Sequence, residues 1–340
     1  MTNIIVLPKY YSGTAFEEIV EHMVVAVKHM SIPIHFIGPT KPIKNNLPGL
    51  LLDDERYTRF QLKLISHLIN LKEPTKILFL DFFNPGLDIL RYHHEQKGIH
   101  AKYGALLHGG TFFDDDIYSM PWLRGFESAW AEIYDVVYVA SNYAKRKLPS
   151  RIYNKAKVLP WGLDSFKKIN HFKNKKYDVI FPHRLSPDKG VEDLIKIVKF
   201  LPMIKFTITS PQEYQTIKSN LYYKELKKSN NVNFILGQNQ IQHAHTLSQS
   251  NIVLSCAKQE TFGYSVMKSV LYGCIPVLPK NQCYPEFFRK EYLYQTMPEA
   301  VNMIKKYTSI KQGVRPIALK IKNSEKLSFK NHLDDFFGKK

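Results

Sequence analysis

Lys258-Gln-Glu-Thr-Phe-Gly263 decides the fold of this chain, because it separates two different periodicities. The apolar run at residues 252–256 is typical of a buried strand, and residues 264–272 have the apolar spacing of a helix. A second apolar run follows at residues 275–278. A carboxylate and a glycine turn therefore lie where a parallel strand ends and a helix begins, which is where open parallel sheets bind ligands. The N–H groups and the positive dipole end of such a helix favour a phosphate.

Strand and helix patterns alternate in two blocks along the chain. The first block has strand candidates at 4–7, 33–37, 77–82, 103–107 and 136–140, with helical periodicity at 15–28, 58–71 and 122–134. The second block, ahead of the opening stretch, has strands at 178–181, 205–208 and 232–236 and helices at 191–200, 214–228 and 240–248. This alternation predicts an α/β fold of two Rossmann-like, doubly wound domains.

The two blocks meet at Lys157-Val-Leu-Pro-Trp-Gly-Leu-Asp164, a short strand that ends in Pro and Gly. We expect an N-terminal domain over residues 1–160, a basic hinge over 161–176 and a C-terminal domain over 177–320. A C-terminal helix within 321–340 is expected to pack back on the first domain. The two domains are expected to face each other across a cleft that holds the site.

The composition is typical of a folded protein. Of the 340 residues, 44% are hydrophobic and 13% aromatic, enough for substantial cores. No apolar run approaches the roughly 18 residues of a membrane span, and residues 1–6 lead into a strand and do not read as a signal peptide. The cysteines fit neither a disulfide framework nor a zinc site, so we expect reduced, mostly buried thiols at Cys256, Cys274 and Cys283.

Positive charge is concentrated in one part of the chain. Lys and Arg number 48 against 30 Asp and Glu, a net charge of +18. Residues 145–176 hold eleven basic residues and one acidic residue, Asp164. Such a stripe is typical of proteins that bind a polyanion, either nucleic acid or an anionic membrane, although a solvated surface in a lysine-rich protein is the alternative. The nucleic-acid candidates are Lys145, Arg146, Lys147, Arg151, Lys155, Lys167 and Lys168.

Two cations stand in the loop Pro182-His-Arg-Leu-Ser-Pro-Asp-Lys-Gly190, between a predicted strand and a predicted helix. Arg184 can bind a phosphate in bidentate fashion, and Lys189 adds a point charge. Gly190 allows close approach of the backbone. The position of the pair at a strand end predicts a diphosphate site, with ordinary surface chemistry as the alternative.

The first block adds three candidate features. His108 ends a strand and precedes Gly109-Gly110-Thr111, which makes it a candidate for chemistry as well as for a structural role. Ser12-Gly13-Thr14 is a glycine turn too short for a dinucleotide fingerprint, and Gly13 is a donor-binding candidate. Asp114-Asp115-Asp116 has a spacing that can hold a divalent ion. No partner carboxylate or histidine cluster accompanies it, so we expect a solvated or acceptor-contacting loop and no metal.

Placed in order, these motifs resemble the retaining glycosyltransferases of the GT-B fold, in the nucleotide-sugar family with Arg…Lys-Gly, Glu-x7-Glu and Gly-x-Pro-Val elements. The stretch 158–164 is similar to the family's interdomain turn, and Arg184 with Lys189 matches its diphosphate pair. Glu260-Thr-Phe-Gly263 with Gly273-Cys-Ile-Pro-Val277 matches its donor-site helix.

One position departs from the family pattern. The second glutamate of the Glu-x7-Glu element falls at Lys268. In the family that carboxylate accepts hydrogen bonds from the ribose hydroxyls, whereas an ammonium only donates. Either another group holds the ribose, or Lys268 reaches a phosphate or ribose oxygen.

A narrower resemblance covers about fifty residues of the second block. Ser255-Cys-Ala-Lys-Gln-Glu-Thr-Phe-Gly263, Gly273-Cys-Ile-Pro-Val-Leu-Pro-Lys280, Tyr284-Pro-Glu-Phe-Phe288 and Glu291-Tyr-Leu-Tyr294 look like the tRNA-queuosine mannosyltransferase branch. The acceptor of that branch is a modified nucleobase. The likeness fades in the first block, so it indicates an acceptor class.

The family resemblance implies a nucleotide-diphosphate sugar as donor, with a UDP-sugar favoured, a GDP-sugar as the alternative and no metal. Arg184, Lys189 and the N–H groups near Gly263 would stabilise charge on the departing diphosphate. Glu260 would hold sugar hydroxyls, and His108 would contact the sugar or the reaction centre from the other domain. The remaining donor-site candidates are Thr261, Phe262, Tyr264 and Lys268.

The charge and the narrower resemblance agree on a nucleic-acid partner. The compact length and the Lys-, Asn- and Ile-rich composition are typical of phage proteins, so a hydroxymethylated pyrimidine in DNA is predicted first and a queuosine-type tRNA base second. A duplex base would have to be flipped out. The alternatives are a glycolipid or cell-envelope glycosyltransferase on an anionic membrane and a catalytically inactive nucleic-acid-binding protein. We expect a cytoplasmic location, in the host cytoplasm if a phage encodes the chain.

Overall fold

The structure is a computed structural model of the 340-residue chain. It describes residues 2–7, 15–39, 41, 55–84, 86–113, 121–166, 175–210, 217–309, 321–323 and 326–338. The chain divides into two compact units, one of Met1–Ser165 with Lys326–Lys340 and one of Phe166–Glu325. None of the helices in the described ranges is both long enough and apolar enough to span a membrane.

The first unit is built on a parallel sheet with strand order β2-β1-β3-β4-β5-β6. Its strands are β1 (Thr2–Val6), β2 (His35–Ile37), β3 (Thr75–Phe79), β4 (Ala101–Leu106), β5 (Val136–Val139) and β6 (Ala156–Val158). Its helices up to this point are α1 (Ala15–Val27), α2 (Glu55–Leu68), α3 (Leu87–Gln96), α4 (Pro121–Ile133), α5 (Asn142–Arg146) and α6 (Ser150–Tyr153). The strands are mostly buried on both faces, which is why they read as continuous apolar runs.

The second unit repeats this architecture with strand order β12-β11-β10-β7-β8-β9, again all parallel. Its strands are β7 (Tyr177–Phe181), β8 (Phe206–Ser210), β9 (Val232–Leu236), β10 (Ser250–Leu254), β11 (Ile275–Pro279) and β12 (Leu293–Tyr294). Its helices are α7 (Val191–Phe200), α8 (Ile217–Lys227), α9 (Gln240–Ser248), α10 (Tyr264–Leu271), α11 (Tyr284–Phe287) and α12 (Met297–Ser309). The predicted pair of doubly wound α/β sheets is confirmed.

A final helix, α13 (Lys330–Phe337), belongs to the first unit. A Cβ atom on Gly104 of β4 would lie 2.6 Å from the Phe336 ring, so the missing side chain on the strand makes room for the helix. Leu333 and Phe336 are buried, and the Asp335 carboxylate accepts a hydrogen bond from the Tyr138 hydroxyl at 2.6 Å. Segment 326–338 therefore completes one face of the first sheet.

The strand order of the second unit creates a topological switch point between β7 and β10. From β7 the chain proceeds to β8 and β9 on one side, and from β10 to β11 and β12 on the other. The loops that leave these two neighbouring strands therefore diverge, and a crevice opens between them at the carboxyl ends of the strands. The loop after β7 carries Arg184 and Lys189, and the loop after β10 carries Glu260.

Candidate functional site

Backbone contacts hold the two switch-point loops of the second unit together. The carbonyl oxygen of Asp188 accepts hydrogen bonds from the N–H groups of Lys258 at 2.8 Å and Gln259 at 3.1 Å. Gly190 has a φ of 66° and caps the start of α7. A Cβ atom there would meet the Cys256 carbonyl oxygen, so only glycine allows this approach.

Asp188 organises both cations of the loop after β7. Its Oδ2 accepts a hydrogen bond from Arg184 Nη2 at 2.6 Å and lies 3.4 Å from Lys189 Nζ. Its Oδ1 accepts from the Ser186 hydroxyl at 2.5 Å, and that hydroxyl oxygen accepts from Arg184 Nε at 2.9 Å. Asp188 is 2% exposed. Sequence reasoning missed this residue, although its place between two flanking cations was visible.

Lys189 connects this group to the loop after β10. Its Nζ donates to the Gln259 carbonyl oxygen at 3.0 Å and to Glu260 Oε2 at 3.2 Å. The other carboxylate oxygen of Glu260 accepts from the Gly263 N–H at 3.1 Å, at the start of α10. Four predicted residues, Arg184, Lys189, Glu260 and Gly263, therefore lie in one continuous polar network.

The other predicted residues of the donor stretch, Thr261, Phe262 and Tyr264, are buried. The Phe262 ring is buried and packs edge-on against Tyr264 and Phe287, with centroids 5.0 and 5.3 Å apart. A Cβ atom on Gly263 would lie 3.2 Å from Tyr284 Cε1, so the turn packs directly against this tyrosine.

Lys268 lies among a different set of side chains. It is 3% exposed, and its Nζ is 5.9 Å from the centroid of the Phe166 ring. Burial lowers the pKa of His243 on α9 to about 3, and the charge of Lys268 adds to this effect. The Nε2 of His243 lies 3.2 Å from the Thr209 hydroxyl at the end of β8. Lys268 thus lies close enough to His243 for its charge to act on the imidazole.

His183 is a second group that the motif analysis did not select. It immediately precedes Arg184 and is buried, with its ring edge-on to Phe181 at 5.0 Å. Burial and the charge of Lys189 lower its pKa to about 3. The imidazole is therefore neutral at physiological pH and adds no third positive charge to the loop.

In the first unit, His108 lies at the carboxyl end of β4 and is half-buried. Its Nε2–H donates to the Leu80 carbonyl oxygen at 2.9 Å, and its ring packs against Phe16 and Trp161. The hydrogen bond fixes the orientation of the imidazole. The structure thus gives His108 a defined place at the edge of the sheet.

A buried carboxylate anchors the glycine loop that follows His108. Glu127 Oε2 on α4 accepts a hydrogen bond from the Thr111 N–H at 2.8 Å and another from the Thr111 hydroxyl. Gly110 has a φ of 133°, and a Cβ atom there would lie 2.7 Å from Glu127 Oε1. Gly110 is therefore needed for close packing of the loop on α4, and Glu127 is a further residue that spacing alone did not reveal.

Several cations of the basic run have partners within the first unit. Lys155 Nζ lies 2.9 Å from Glu132 Oε2, and Lys157 Nζ lies 2.8 Å from the Asp335 carboxylate. Lys145 Nζ donates to the Ala156 carbonyl oxygen at 2.7 Å. The run is therefore not a uniform stripe of unpaired charge. The remaining described candidates are on or just after the short helices: Arg146 and Lys147 at α5 and Arg151 on α6.

Some predicted residues lie outside the described ranges. These are Gly13, Lys167, Lys168 and the triplet Asp114, Asp115 and Asp116. Within the described ranges, no group of three or more His, Cys, Asp and Glu side chains is placed to hold a metal ion. The three cysteines are buried and unbridged, and burial raises the pKa of Cys256 to about 12.

Comparison with known proteins finds a family likeness in the second unit. Residues 164–324 match the family model described as glycosyl transferases group 1. A curated relative, the tRNA-queuosine alpha-mannosyltransferase of Drosophila melanogaster, is 32% identical over 123 residues. That match covers 35% of this chain and 32% of the relative, so it spans about one third of the relative's length.

Solved structures extend the likeness to both units. The sucrose-phosphate synthase of Thermosynechococcus elongatus matches with a TM-score of 0.68 at 14% identity, over 99% of this chain and 95% of that one. A mutant of S. aureus TarM, in complex with fondaparinux, alpha-GlcNAc-glycerol and UDP, matches with a TM-score of 0.57 at 15% identity. The latter match covers 82% of this chain and 56% of TarM. The fold is GT-B-like, as predicted.

Proposed function

We propose, from the glycosyl transferases group 1 domain at residues 164–324, that this protein transfers a sugar from a nucleotide-diphosphate sugar to a hydroxyl group. The observation that carries the proposal is the network of Arg184, Lys189 and Glu260 at the switch point of the second sheet. It combines two cations, a helix start and a carboxylate in the crevice where α/β sheets bind ligands.

The proposed chemistry follows from the charge that develops as the diphosphate departs. Negative charge builds on the phosphate oxygens, and the Arg184 guanidinium and Lys189 ammonium stabilise it in the transition state. Glu260 accepts hydrogen bonds from sugar hydroxyls, and His108 contacts the sugar or the reaction centre. We propose retention of configuration and a UDP-sugar donor, with a GDP-sugar as the alternative. UDP in the TarM complex supports the first donor.

The proposed acceptor is a hydroxyl on a modified nucleobase. The net charge of +18 supports a polyanionic partner. A hydroxymethylated pyrimidine in DNA is the acceptor that the composition favours. A queuosine-type tRNA base is the second candidate, and the Drosophila relative, named for tRNA-queuosine, supports it. A glycolipid acceptor on an anionic membrane is the third.

The test combines donors and acceptors in one assay. Purified protein is incubated with UDP- and GDP-sugars together with hydroxymethylated DNA, queuosine-containing tRNA or anionic lipid acceptors, and products are read by mass spectrometry. We expect a hexose or pentose mass increment on a nucleobase, lost in an Arg184→Met variant. NMR of the product gives the anomeric configuration, and inversion would contradict a retaining reaction.

Binding to nucleic acid gives an independent measurement. If phosphate contacts supply the affinity, the logarithm of the binding constant falls linearly with the logarithm of the salt concentration. We expect a steep decrease for the preferred nucleic acid between low and physiological salt. Binding that does not respond to salt, or labelling of the lipid alone, would reject the nucleobase acceptor.

A further inference from the structure

Four charged side chains of the second unit form one electrostatic group: Arg184, Asp188, Lys189 and Glu260. Two are positive and two are negative, so their charges cancel without any ligand. The Asp188, Lys189 and Glu260 side chains are only 2%, 12% and 16% exposed. Water therefore screens this group weakly. A diphosphate would enter a site whose positive charge is already compensated.

The two cations, Lys189 and Arg184, differ in how many of their N–H donors already have an acceptor. Lys189 Nζ has hydrogen bonds to the Gln259 carbonyl oxygen and Glu260 Oε2, and an ion-pair contact with Asp188 Oδ2 at 3.4 Å. An ammonium has three donors, so each of them faces an acceptor. Arg184 is 47% exposed, and its Nη1 has no acceptor among the described residues. Arg184 can bind a phosphate directly, whereas Lys189 must first exchange a partner.

Glu260 is the partner that can leave. Asp188 is almost fully buried and is also held by Arg184 and Ser186, and the Gln259 carbonyl is part of the backbone. Glu260 has one oxygen on Lys189 and the other on the Gly263 N–H, so its side chain can release Lys189 and stay at the start of α10. Without Glu260, the mostly buried Lys189 ammonium keeps only the longer, 3.4 Å contact with Asp188 Oδ2, and this loss of compensating charge is costly, so release is favoured by an incoming negative group.

We propose that Glu260 is an internal counter-ion that the donor diphosphate displaces from Lys189. This inference rests on the proposed function. The phosphate takes the place of Glu260 Oε2 on Lys189, and the freed carboxylate oxygen then accepts hydrogen bonds from the sugar hydroxyls. Sugar recognition is thereby coupled to diphosphate binding, because Glu260 is available to the sugar only when the diphosphate is present. The same exchange weakens the binding of a nucleoside diphosphate that has lost its sugar.

The experiment measures the affinities of UDP and of inorganic pyrophosphate by calorimetry. Glu260→Gln keeps the shape of the side chain and an acceptor for the Gly263 N–H but removes the competing charge. We expect both ligands to bind the variant about tenfold more tightly than the wild type. The matched control is Glu225→Gln, which removes the carboxylate of another Lys–Glu pair of the same unit, 2.8 Å from Lys199 Nζ in the last turn of α7. This control should leave both affinities unchanged.

Unchanged or weaker pyrophosphate binding by Glu260→Gln overturns the exchange, as does the absence of pyrophosphate binding in both proteins. Tighter pyrophosphate binding without any UDP or GDP binding or donor turnover keeps the exchange and rejects the proposed function. Donor turnover without the gain in affinity rejects the exchange and keeps the proposed function. If Glu260→Gln has a lower melting temperature, Glu260→Asp gives a second measurement, because its shorter carboxylate loosens the contact with Lys189. It too must bind pyrophosphate more tightly than the wild type.

Discussion

A Cβ atom on Gly190 would clash with the carbonyl oxygen of Cys256. The loop after β7 therefore touches the loop after β10 through bare backbone, one residue beyond Lys189. The contact sets how far apart Lys189 and Glu260 can be. The ion pair between Lys189 and Glu260 thus depends on Gly190, which has no side chain.

Gly190→Ala is expected to destabilise the second unit by about 2–4 kcal/mol, because the clash adds to the strain of a positive φ. The matched control is Gly237→Ala, since Gly237 has a φ of 65° with nothing within 4 Å of the added atom. The control should lose only about 1–2 kcal/mol from backbone strain. Urea denaturation measures both, and equal losses would show that the contact with Cys256 is unimportant.

Asp188→Asn is expected to lower the free energy of unfolding by about 3 kcal/mol, because Lys189 is mostly buried and loses part of its compensating charge. Asp193→Asn is the control on α7, where Asp193 lies 3.5 Å from the exposed Lys196. Its loss should stay under about 0.5 kcal/mol. Chemical denaturation of the two variants checks the difference. A similar small loss in both would mean that Asp188 does not stabilise the loop.

Glu127→Gln is expected to destabilise the first unit by about 1–3 kcal/mol, because the hydrogen bonds from Thr111 lose a charged, buried acceptor. Glu132→Gln on the same helix is the control. The Glu132 carboxylate is on the surface and pairs with Lys155. Its replacement should not change the melting temperature measurably. If Glu127→Gln also leaves the melting temperature unchanged, the loop after His108 does not depend on this anchor.

Three histidines with strongly lowered pKa values should make the protein sensitive to mild acid. Burial lowers the pKa of His183, His243 and His332 to about 3 each. Their unfolded value is about 6.5, so between these values the unfolded chain binds more protons and stability falls as the pH falls. Each contributes a loss of up to about 1.4 kcal/mol per pH unit below 6.5. The effect is fully absent above that pH.

Urea titrations at pH 7.5 and 5.0, at constant ionic strength, measure this loss before most carboxylates titrate. His332→Asn removes one of the three groups. The variant is expected to be less stable at pH 7.5, because the hydrogen bond to the Leu159 carbonyl is altered, but to lose less stability on acidification. Equal stability of the wild type at the two pH values would contradict the neutral state of these histidines in the folded protein.

The pKa of His243 should change with the charge of the side chain at position 268. Lys268 contributes to the low pKa of this imidazole, after burial. Removing the charge in Lys268→Met is expected to raise the pKa of His243, and reversing it in Lys268→Glu to raise it further, because an opposite charge favours the imidazolium. Histidine NMR titration measures the order. His332 in the other unit is the internal reference, and an unchanged His243 would show that Lys268 acts elsewhere.

Much of the fold follows from the sequence because buried parallel strands read as unbroken apolar runs. The bounds of β9, α7 and α9 are as predicted, and α9 begins with a capping box between Asn239 and Gln242 that gives a clear start. Helix α3 is harder to detect. It begins after Gly86 without a side-chain cap, and one of its buried residues is the polar His94.

The site is readable from the sequence only in part. Arg184 and Lys189 stand at a strand end, where their type and position indicate an anion. That Lys189 pairs with Glu260 cannot be inferred from spacing, because the two residues are 71 positions apart and meet only through the strand order. The role of Asp188 cannot be inferred from the sequence either. An aspartate after a proline is usually exposed, and the burial of Asp188 depends on the loop after β10.

The return of the chain to the first unit at Lys326 has a consequence for how the protein is made. A ribosome completes the sheet of the first unit and then all of the second unit before Leu333 and Phe336 exist to cover that sheet. The second unit is contiguous and can fold as it emerges, whereas the first must wait with an apolar face open. Aggregation during synthesis and dependence on chaperones should therefore originate in the first unit.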